Sequence, residues 1–175
     1  YGQLGNGEID SNHNFELEKV DGPWDDDDAT NTIVSIAAGY GTSHAVDKNG
    51  TVWSWGQNED GQLGTGFMGG QETYPQALLS FDNGNNVVLP RMLMVSGGEG
   101  HAIALGEDGT VWSWGENDYG QLGVGFSGNN YPPLQVLNIS DAISISTFGR
   151  HSIVLETDGT ISTWGKNSFG ELGDG

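Results

Sequence analysis

GGEGHAIALGEDGTVWSWGENDYGQLGVG, residues Gly97–Gly125, is the stretch that decides the fold. His101, Ile103 and Leu105 alternate with Ala102 and Ala104, which is the period of a strand. Asp108-Gly109 then leads into Thr110-Val-Trp-Ser-Trp114. Two alternating runs joined through Asp-Gly predict a hairpin, because that dipeptide accepts the positive φ angles of a tight primed turn. Tyr119-Gly-Gln-Leu-Gly123 follows, and its glycines predict a tight loop that tucks Leu122 inward.

The same unit recurs along the chain, and a recurring unit decides the architecture. The glycine-leucine loop reads YGQLGNG at 1–7, DGQLGTG at 60–66, YGQLGVG at 119–125 and FGELGDG at 169–175, with its leading glycines Gly2, Gly61, Gly120 and Gly170 spaced 59, 59 and 50 residues apart. The hairpin turns at Asn49-Gly50, Asp108-Gly109 and Asp158-Gly159, in phase with the loops. The expected organisation is a single domain over 1–175: the end of a preceding repeat at 1–7, then repeats at 8–66, 67–125 and 126–175. Between hairpin and loop motifs lie variable excursions, 8–32 with Trp24 and the run Asp25-Asp26-Asp27-Asp28, 67–94 with Tyr74-Pro75, and 126–143 with Tyr131-Pro-Pro133. Ile33-Val-Ser-Ile36 begins a strand, and no segment carries capped helical periodicity.

Composition narrows the function classes. Twenty-four acidic residues against 5 basic ones give a formal charge of −19, a field that repels phosphate backbones and anionic headgroups. Nucleic acid and membrane insertion are therefore not expected, and no run approaches the roughly 18 apolar residues of a span. The absence of cysteine removes disulfides, thiolate zinc sites and a cysteine nucleophile. Thirty glycines without a Gly-X-Y period, in a chain 35% hydrophobic, fit a turn-rich β protein.

Aligned repeat on repeat, Trp55, Trp114 and Trp164 coincide, and each is followed by glycine; these tryptophans are expected to pack between adjacent units. Leu63, Leu122 and Leu172 form a second structural column. Trp53 and Trp112 align with Ser162, which predicts a more exposed column. His101 and His151 coincide, whereas the first copy has Thr42 there and carries His44 opposite Ile103. A histidine that threonine replaces reads as hydrogen-bonded structure.

These residues resemble the regulator of chromosome condensation repeat family, whose pattern is a Gly-x-x-His strand, an Asp-Gly hairpin, Trp-Gly-x-Asn and Gly-Gln-Leu-Gly. The middle copy, GEGHAIALGEDGTVWSWGENDYGQLG, matches throughout; the first departs at Thr42 and the third at Phe148 in the glycine column and at Glu171 for glutamine. The resemblance implies an all-β fold, a β-propeller segment of about three four-stranded blades, seven blades being usual in the family's best-known members. Propellers close with roughly four to eight blades, so three would be part of a larger propeller or be completed by another chain. The abrupt ends at Tyr1 and Gly175 fit a piece of a larger protein.

Gly64-Thr-Gly-Phe-Met-Gly69 and Gly123-Val-Gly-Phe-Ser-Gly128 satisfy G-x-G-x-x-G, yet that fingerprint needs a helix opening at the glycines, and QETYP and NNYPP follow. Asp25, Asp26, Asp27 and Asp28 are weak candidates for calcium, but a calcium loop spaces its carboxylates with carbonyls and a glycine. No other cofactor is expected. His13, His44, His101 and His151 do not form a zinc set, because equivalent repeat positions lie a blade apart. No G-x-S-x-G, S-x-x-K or H-E-x-x-H occurs. Asn49-Gly-Thr51 and Asn138-Ile-Ser140 match the glycosylation acceptor, and the first is explained by its hairpin turn.

The leading expectation is a noncatalytic protein–protein interaction scaffold, with Trp24, Tyr74, Tyr131 and the aspartate run as contact candidates for a protein partner or further copies of the chain. A structural subunit assembling through exposed blade edges into a ring or filament is the alternative. Relatives in the family include guanine-nucleotide exchange factors, ubiquitin ligase domains and secreted β-lactamase inhibitors. A regulator resembling an exchange factor is thus a further alternative, although no residue here can be matched to exchange activity. The low lysine count, absent cysteine and Gly/Asn/Asp/Ser/Thr-rich texture point to a secreted, extracellular or cell-surface protein, with a cytoplasmic location as the alternative, and closure between exposed edges would make it an oligomer.

Overall fold

The computed structural model of the chain describes residues 1–9, 19–24, 32–78, 81–82, 85–86, 88–128 and 130–175. All regular structure among them is β: β1 (Ile33–Ala38), β2 (Thr42–Asp47), β3 (Val52–Gln57), β4 (Gln71–Ala77), β5 (Phe81–Asp82), β6 (Asn85–Asn86), β7 (Met92–Gly97), β8 (His101–Gly106), β9 (Val111–Gly115), β10 (Asn130–Gln135), β11 (Ala142–Phe148), β12 (His151–Glu156) and β13 (Ile161–Gly165). Three antiparallel meanders form successive blades: β1-β2-β3-β4, β7-β8-β9-β10 and β11-β12-β13, the third having three strands among the described residues. β5 and β6 pair as a small ribbon in the link between the first two. The first strands β1, β7 and β11 pack on one another along the inner side of the fan, and β4 and β10 are the outer edges.

The period-2 alternation distributes side chains between the two faces of each blade. In the middle blade Ala102, Ala104, Trp112 and Trp114 join Val46 and Val52 of the first blade in one core cluster, with Met92 and Val95. Ile103, Leu105 and Val111 turn to the other face and meet Ala142, Ile145 and Val154 of the third. Both β8 and β9 are therefore buried along their whole length. Each such fully buried aliphatic side chain contributes about 1.5–3 kcal/mol, so the middle blade is cemented on both sides. The outer faces are apolar and open: Ile36 is 78% exposed on the first blade and Ile161 is 61% exposed on the third.

Several expectations are corrected here. The hairpins do not use a tight primed turn. Each closes a four-residue turn through a glycine N–H, Gly50 to Asp47 O at 2.9 Å, Gly109 to Gly106 O at 3.1 Å and Gly159 to Glu156 O at 3.0 Å. Only the glycine takes a positive φ, 88°, 79° and 90°, so the preceding Asp of the second and third copies serves through its side chain, and in the first copy Asp47 Oδ1 does so instead, accepting from Asn49 N at 2.9 Å and Thr51 N at 3.0 Å. Asp108 Oδ1 accepts from Thr110 N at 3.1 Å and Asp158 Oδ1 from Thr160 N at 2.8 Å, the usual way Asp holds a turn.

The excursions also hold more than loop. Tyr74-Pro75 lies in β4 and Tyr131-Pro-Pro133 in β10, the edge strands of their sheets. Proline is tolerated there because an edge strand has one side free of ladder bonds, and both pairings are irregular at that point. Trp112 is buried, against the more exposed column expected for it, because it packs across the seam onto the first blade. Leu4, in the first copy of the loop, is 46% exposed, unlike the fully buried Leu63 and Leu122. The Asp25–Asp28 run and His13 lie outside the described residues.

Candidate protein-interaction surface

The repeated residues are consumed in stitching blade to blade. Trp114 Nε1 donates across the seam to Gln62 O at 2.9 Å, Trp55 Nε1 to Gln3 O at 2.9 Å and Trp164 Nε1 to Gln121 O at 2.8 Å. Each loop thus docks its glutamine carbonyl onto the tryptophan of the next blade. Gly5, Gly64 and Gly123 follow with φ of 69°, 66° and 68°, and a Cβ on them would sit 2.8–2.9 Å from that same indole. This column requires glycine for both its backbone angle and its close approach.

Inside the loop, side-chain amides replace backbone pairing. Asn58, Asn117 and Asn167 accept through Oδ1 from the N–H of Leu63, Leu122 and Leu172 at 3.1, 3.0 and 3.1 Å. Gln62 and Gln121 accept from the N–H two residues earlier at 2.9 Å. Glu171 does the same for Phe169 at 2.7 Å, so the departure from glutamine keeps the acceptor that the loop needs. That hydrogen bond also holds the Glu171 carboxyl below its ordinary pKa.

The histidines belong to the seams. His44 bonds Ser54 Oγ at 2.8 Å and Thr42 Oγ1 at 2.9 Å, and burial pushes its pKa down to about 4. His101 Nε2 lies 2.9 Å from Ser152 Oγ. Ser152 gives its one proton to Gln121 O at 3.1 Å, so it accepts from His101 Nε2–H and leaves Nδ1 unprotonated. Burial, then the charge of His151, pushes His101 down to about 3. Both rings are buried and neutral near pH 7, as structural groups are. His151 is half-buried on the third blade.

The contact candidates are not brought together. Trp24 is half-buried and stacks edge-on to Trp53 at 6.1 Å and tilted on Trp55 at 6.2 Å, so it pins its own segment to the outer face of the first blade. Tyr74 is 49% exposed, and its hydroxyl occupies the space a Cβ on Gly7 would need. The backbone of Tyr131 runs in the outer strand β10 of the second blade.

Residues that sequence reasoning missed gather at the opposite end from the hairpins, where the β1–β2, β7–β8 and β11–β12 turns converge. The turns are linked in series, Tyr40 N to Gly98 O at 3.1 Å and Glu99 N to Gly149 O at 2.7 Å. Arg150 Nε lies 3.2 Å from Glu99 Oε2 and 3.5 Å from Glu116 Oε1, and its guanidinium rests 5.2 Å above the Tyr119 ring. Burial opposes the charge on Arg150, but Glu116 and Glu99 outweigh it and raise the pKa. Glu116 is buried, which raises its own pKa; Arg150 pulls the other way, and Asp60, Asp118 and Glu99 push it further up. A Cβ on Gly100 would meet Glu116 Oε2 at 2.7 Å and Asp60 Oδ2 at 3.3 Å, so carboxylates of two blades converge on that glycine. The signal was present in sequence: Arg150 is one of 5 basic residues and stands where the other copies have Gly41 and Gly100.

Two family models, both described as Regulator of chromosome condensation (RCC1) repeat, match the chain, one over residues 49–105 and the other over 33–62 and 95–121. Among curated relatives, the human probable E3 ubiquitin-protein ligase HERC4 is 39% identical over 58% of this chain and 9% of its own length. The Arabidopsis thaliana ultraviolet-B receptor UVR8 is 36% identical over 59% of the chain and 22% of its own. Among solved structures, human WBSCR16 superposes with a TM-score of 0.75 at 25% identity, covering 94% of this chain and 40% of that one. Prp20p of Saccharomyces cerevisiae gives 0.63 at 26% identity, covering 78% and 33%. The chain thus spans under half the length of each of these proteins. With the repeat models matched and each repeat motif in its structural place, the chain belongs to the regulator of chromosome condensation (RCC1) repeat family and forms part of a β-propeller.

Proposed function

We propose that this chain is a noncatalytic protein-interaction scaffold that presents the turn end of its blades, with Tyr40, Glu99, Glu116, Arg150 and Phe148, to a protein partner. One observation carries the reading: residues that recur in phase are spent on internal hydrogen bonds, whereas the turn residues change from copy to copy and Tyr40, Glu99 and Phe148 among them stand in solvent. Loops on a rigid scaffold are where recognition concentrates. Relatives with the same repeat act through proteins: Prp20p has binding properties to Gsp1p and histones, and yeast RCC1 (Prp20) binds Kap60. The test is affinity capture with the parent chain, a turn-end variant (Tyr40→Ala with Glu99→Gln) and a hairpin-end variant (Asp158→Asn). The reading requires partners lost with the turn-end variant alone; capture indifferent to that variant, or no enrichment over a denatured control, contradicts it.

A second reading, assembly through blade faces, is favoured by Ile36 of the first blade and Ile161 of the third, both exposed on the outer faces. Light scattering over a concentration series tests it: a defined closed oligomer supports assembly, and a monomer throughout overturns it.

A further inference from the structure

The three converging turns enclose an open groove of about 470 Å³. Gly39, Gly97, Gly98 and Gly149 pave it, and Tyr40, Glu99 and Phe148 rise from its edges, one from each blade. Tyr40 is 77% exposed and Phe148 81% exposed, so neither ring is used for packing among the described residues. Phe148 stands in a column that holds glycine in the other two copies. A Cβ on Gly39 would approach Thr42 Oγ1 to 2.4 Å, and one on Gly98 would approach His101 Cε1 to 2.4 Å. Two turns therefore exclude a side chain at this position, and the third spends it on an aromatic ring facing solvent.

Charge around the groove is acidic in excess, the carboxylates of Glu99, Glu116, Asp60 and Asp118 standing against the cations Arg150 and Lys166. The Glu99 carboxylate is exposed at the wall and pairs with Arg150, Nε to Oε2 at 3.2 Å, and Glu116 stands behind it under the charges of Asp60, Asp118 and Glu99. The neighbouring cations, Arg150 and Lys166, sit over the Tyr119 ring at 5.2 and 5.4 Å. Aromatic rings beside a carboxylate are the chemistry that selects a cation, through the ring quadrupole and the Coulomb attraction together. The charge of −19 over the whole chain accelerates encounter with a basic partner.

We infer that this groove seats a lysine or arginine side chain from a basic segment of a partner protein, its charged head sharing the exposed Glu99 carboxylate with Arg150 and its stem between Tyr40 and Phe148. The glycine floor lets the partner's backbone approach closely. The inference rests on the scaffold reading and names the chemistry of the partner.

The experiment is fluorescence anisotropy of the 175-residue chain with a labelled decapeptide alternating lysine with glycine and serine, beside versions carrying glutamate or norleucine for lysine. The lysine peptide is expected to bind, to weaken as salt rises, and to weaken roughly 3- to 10-fold with Tyr40→Ala, Phe148→Ala or Glu99→Gln. Asp158→Asn, at the hairpin end, leaves binding unchanged, and circular dichroism melts show that all variants remain folded. No binding of the lysine peptide, equal binding of the norleucine or glutamate peptide, or indifference to all three groove substitutions overturns the inference. Those failures leave the scaffold reading standing if the turn-end variant still loses captured partners. The scaffold reading fails separately when capture enriches nothing, whatever the peptide does.

Discussion

Trp114→Phe removes one hydrogen bond and part of one ring, and the structure fixes what that costs. Trp114 is fully buried, and its Nε1–H satisfies Gln62 O at 2.9 Å across the first seam. At the equivalent sites the loop carbonyl has a second donor: Ser43 Oγ reaches Gln3 O at 2.8 Å and Ser152 Oγ reaches Gln121 O at 3.1 Å. The middle blade has Ala102 in that serine column, so Phe at 114 strands a buried carbonyl. Leaving such a group unsatisfied costs about 1–3 kcal/mol, and the lost part of the indole adds about 1 kcal/mol of packing. The sum, about 2–4 kcal/mol, shifts a urea midpoint down by roughly 1–2 M at an m value near 2 kcal/mol/M. Trp164→Phe, with Ser152 still donating, is expected to cost about 1 kcal/mol. Because Trp164 is also less buried, the decisive variant is the double substitution Trp114→Phe with Ala102→Ser. It supplies the missing donor and recovers about 1 kcal/mol. Chemical denaturation followed by tryptophan fluorescence measures all three. Equal costs at 114 and 164, together with no recovery from Ala102→Ser, would refute the seam reasoning.

Other outcomes follow from the same geometry. The folded chain holds His44 and His101 neutral, whereas the unfolded chain protonates both below about 6.5; stability therefore falls as pH drops from about 6.5 towards 4 for His44 and towards 3 for His101. The loss is on the order of 3 kcal/mol per ring by pH 4, and His101→Thr should remove about half of it; urea midpoints at pH 7, 5.5 and 4 decide this, and a flat profile contradicts it. Gly123→Ala meets both a φ of 68° and a Cβ 2.8 Å from Trp164 Nε1, and is expected to cost at least ~2 kcal/mol. Gly120→Ala, with φ of 75° and nothing within 4 Å, costs only the backbone strain, about 1 kcal/mol; thermal melts that fail to separate these two would contradict the close approach. Glu171→Gln keeps the acceptor for Phe169 N but gives up the carboxylate charge that this hydrogen bond favours, so its melting temperature should fall slightly near pH 7 and the difference should vanish as pH drops through the carboxylate range.

Much of the architecture was legible because the repeat writes it three times. Alternation in HAIALG placed Ile103 and Leu105 on one face and the alanines on the other, and the two seams divide them that way. Of the tryptophan column, Trp114 and Trp164 lie at the two seams, and Trp55 meets the first loop through Gln3 O. The edge strands β4 and β10 were hidden because prolines and irregular pairing erase the period-2 signal, and edge strands bury only part of their length. Asp-Gly suggested a primed turn, yet the dipeptide cannot report whether both residues or only the glycine adopt positive φ. Ser162 in the Trp112 column predicts a more exposed position, but exposure differs between copies because, among the described residues, the middle blade alone has neighbours on both sides. The turn end was illegible for the opposite reason: Tyr40, Glu99, Arg150 and Phe148 fall where copies disagree, and their proximity comes from blades meeting at an axis rather than from sequence spacing.

If partners bind at the turn end while the seams serve the fold, as proposed, hydrogen–deuterium exchange of the chain with a captured protein partner tests that division directly. The proposal predicts new protection at residues 39–41, 97–100, 116–119 and 148–150, with the hairpin turns 48–51, 107–110 and 157–160 exchanging as in the free chain. Protection confined to the hairpin turns or to the outer faces of the first and third blades would contradict it.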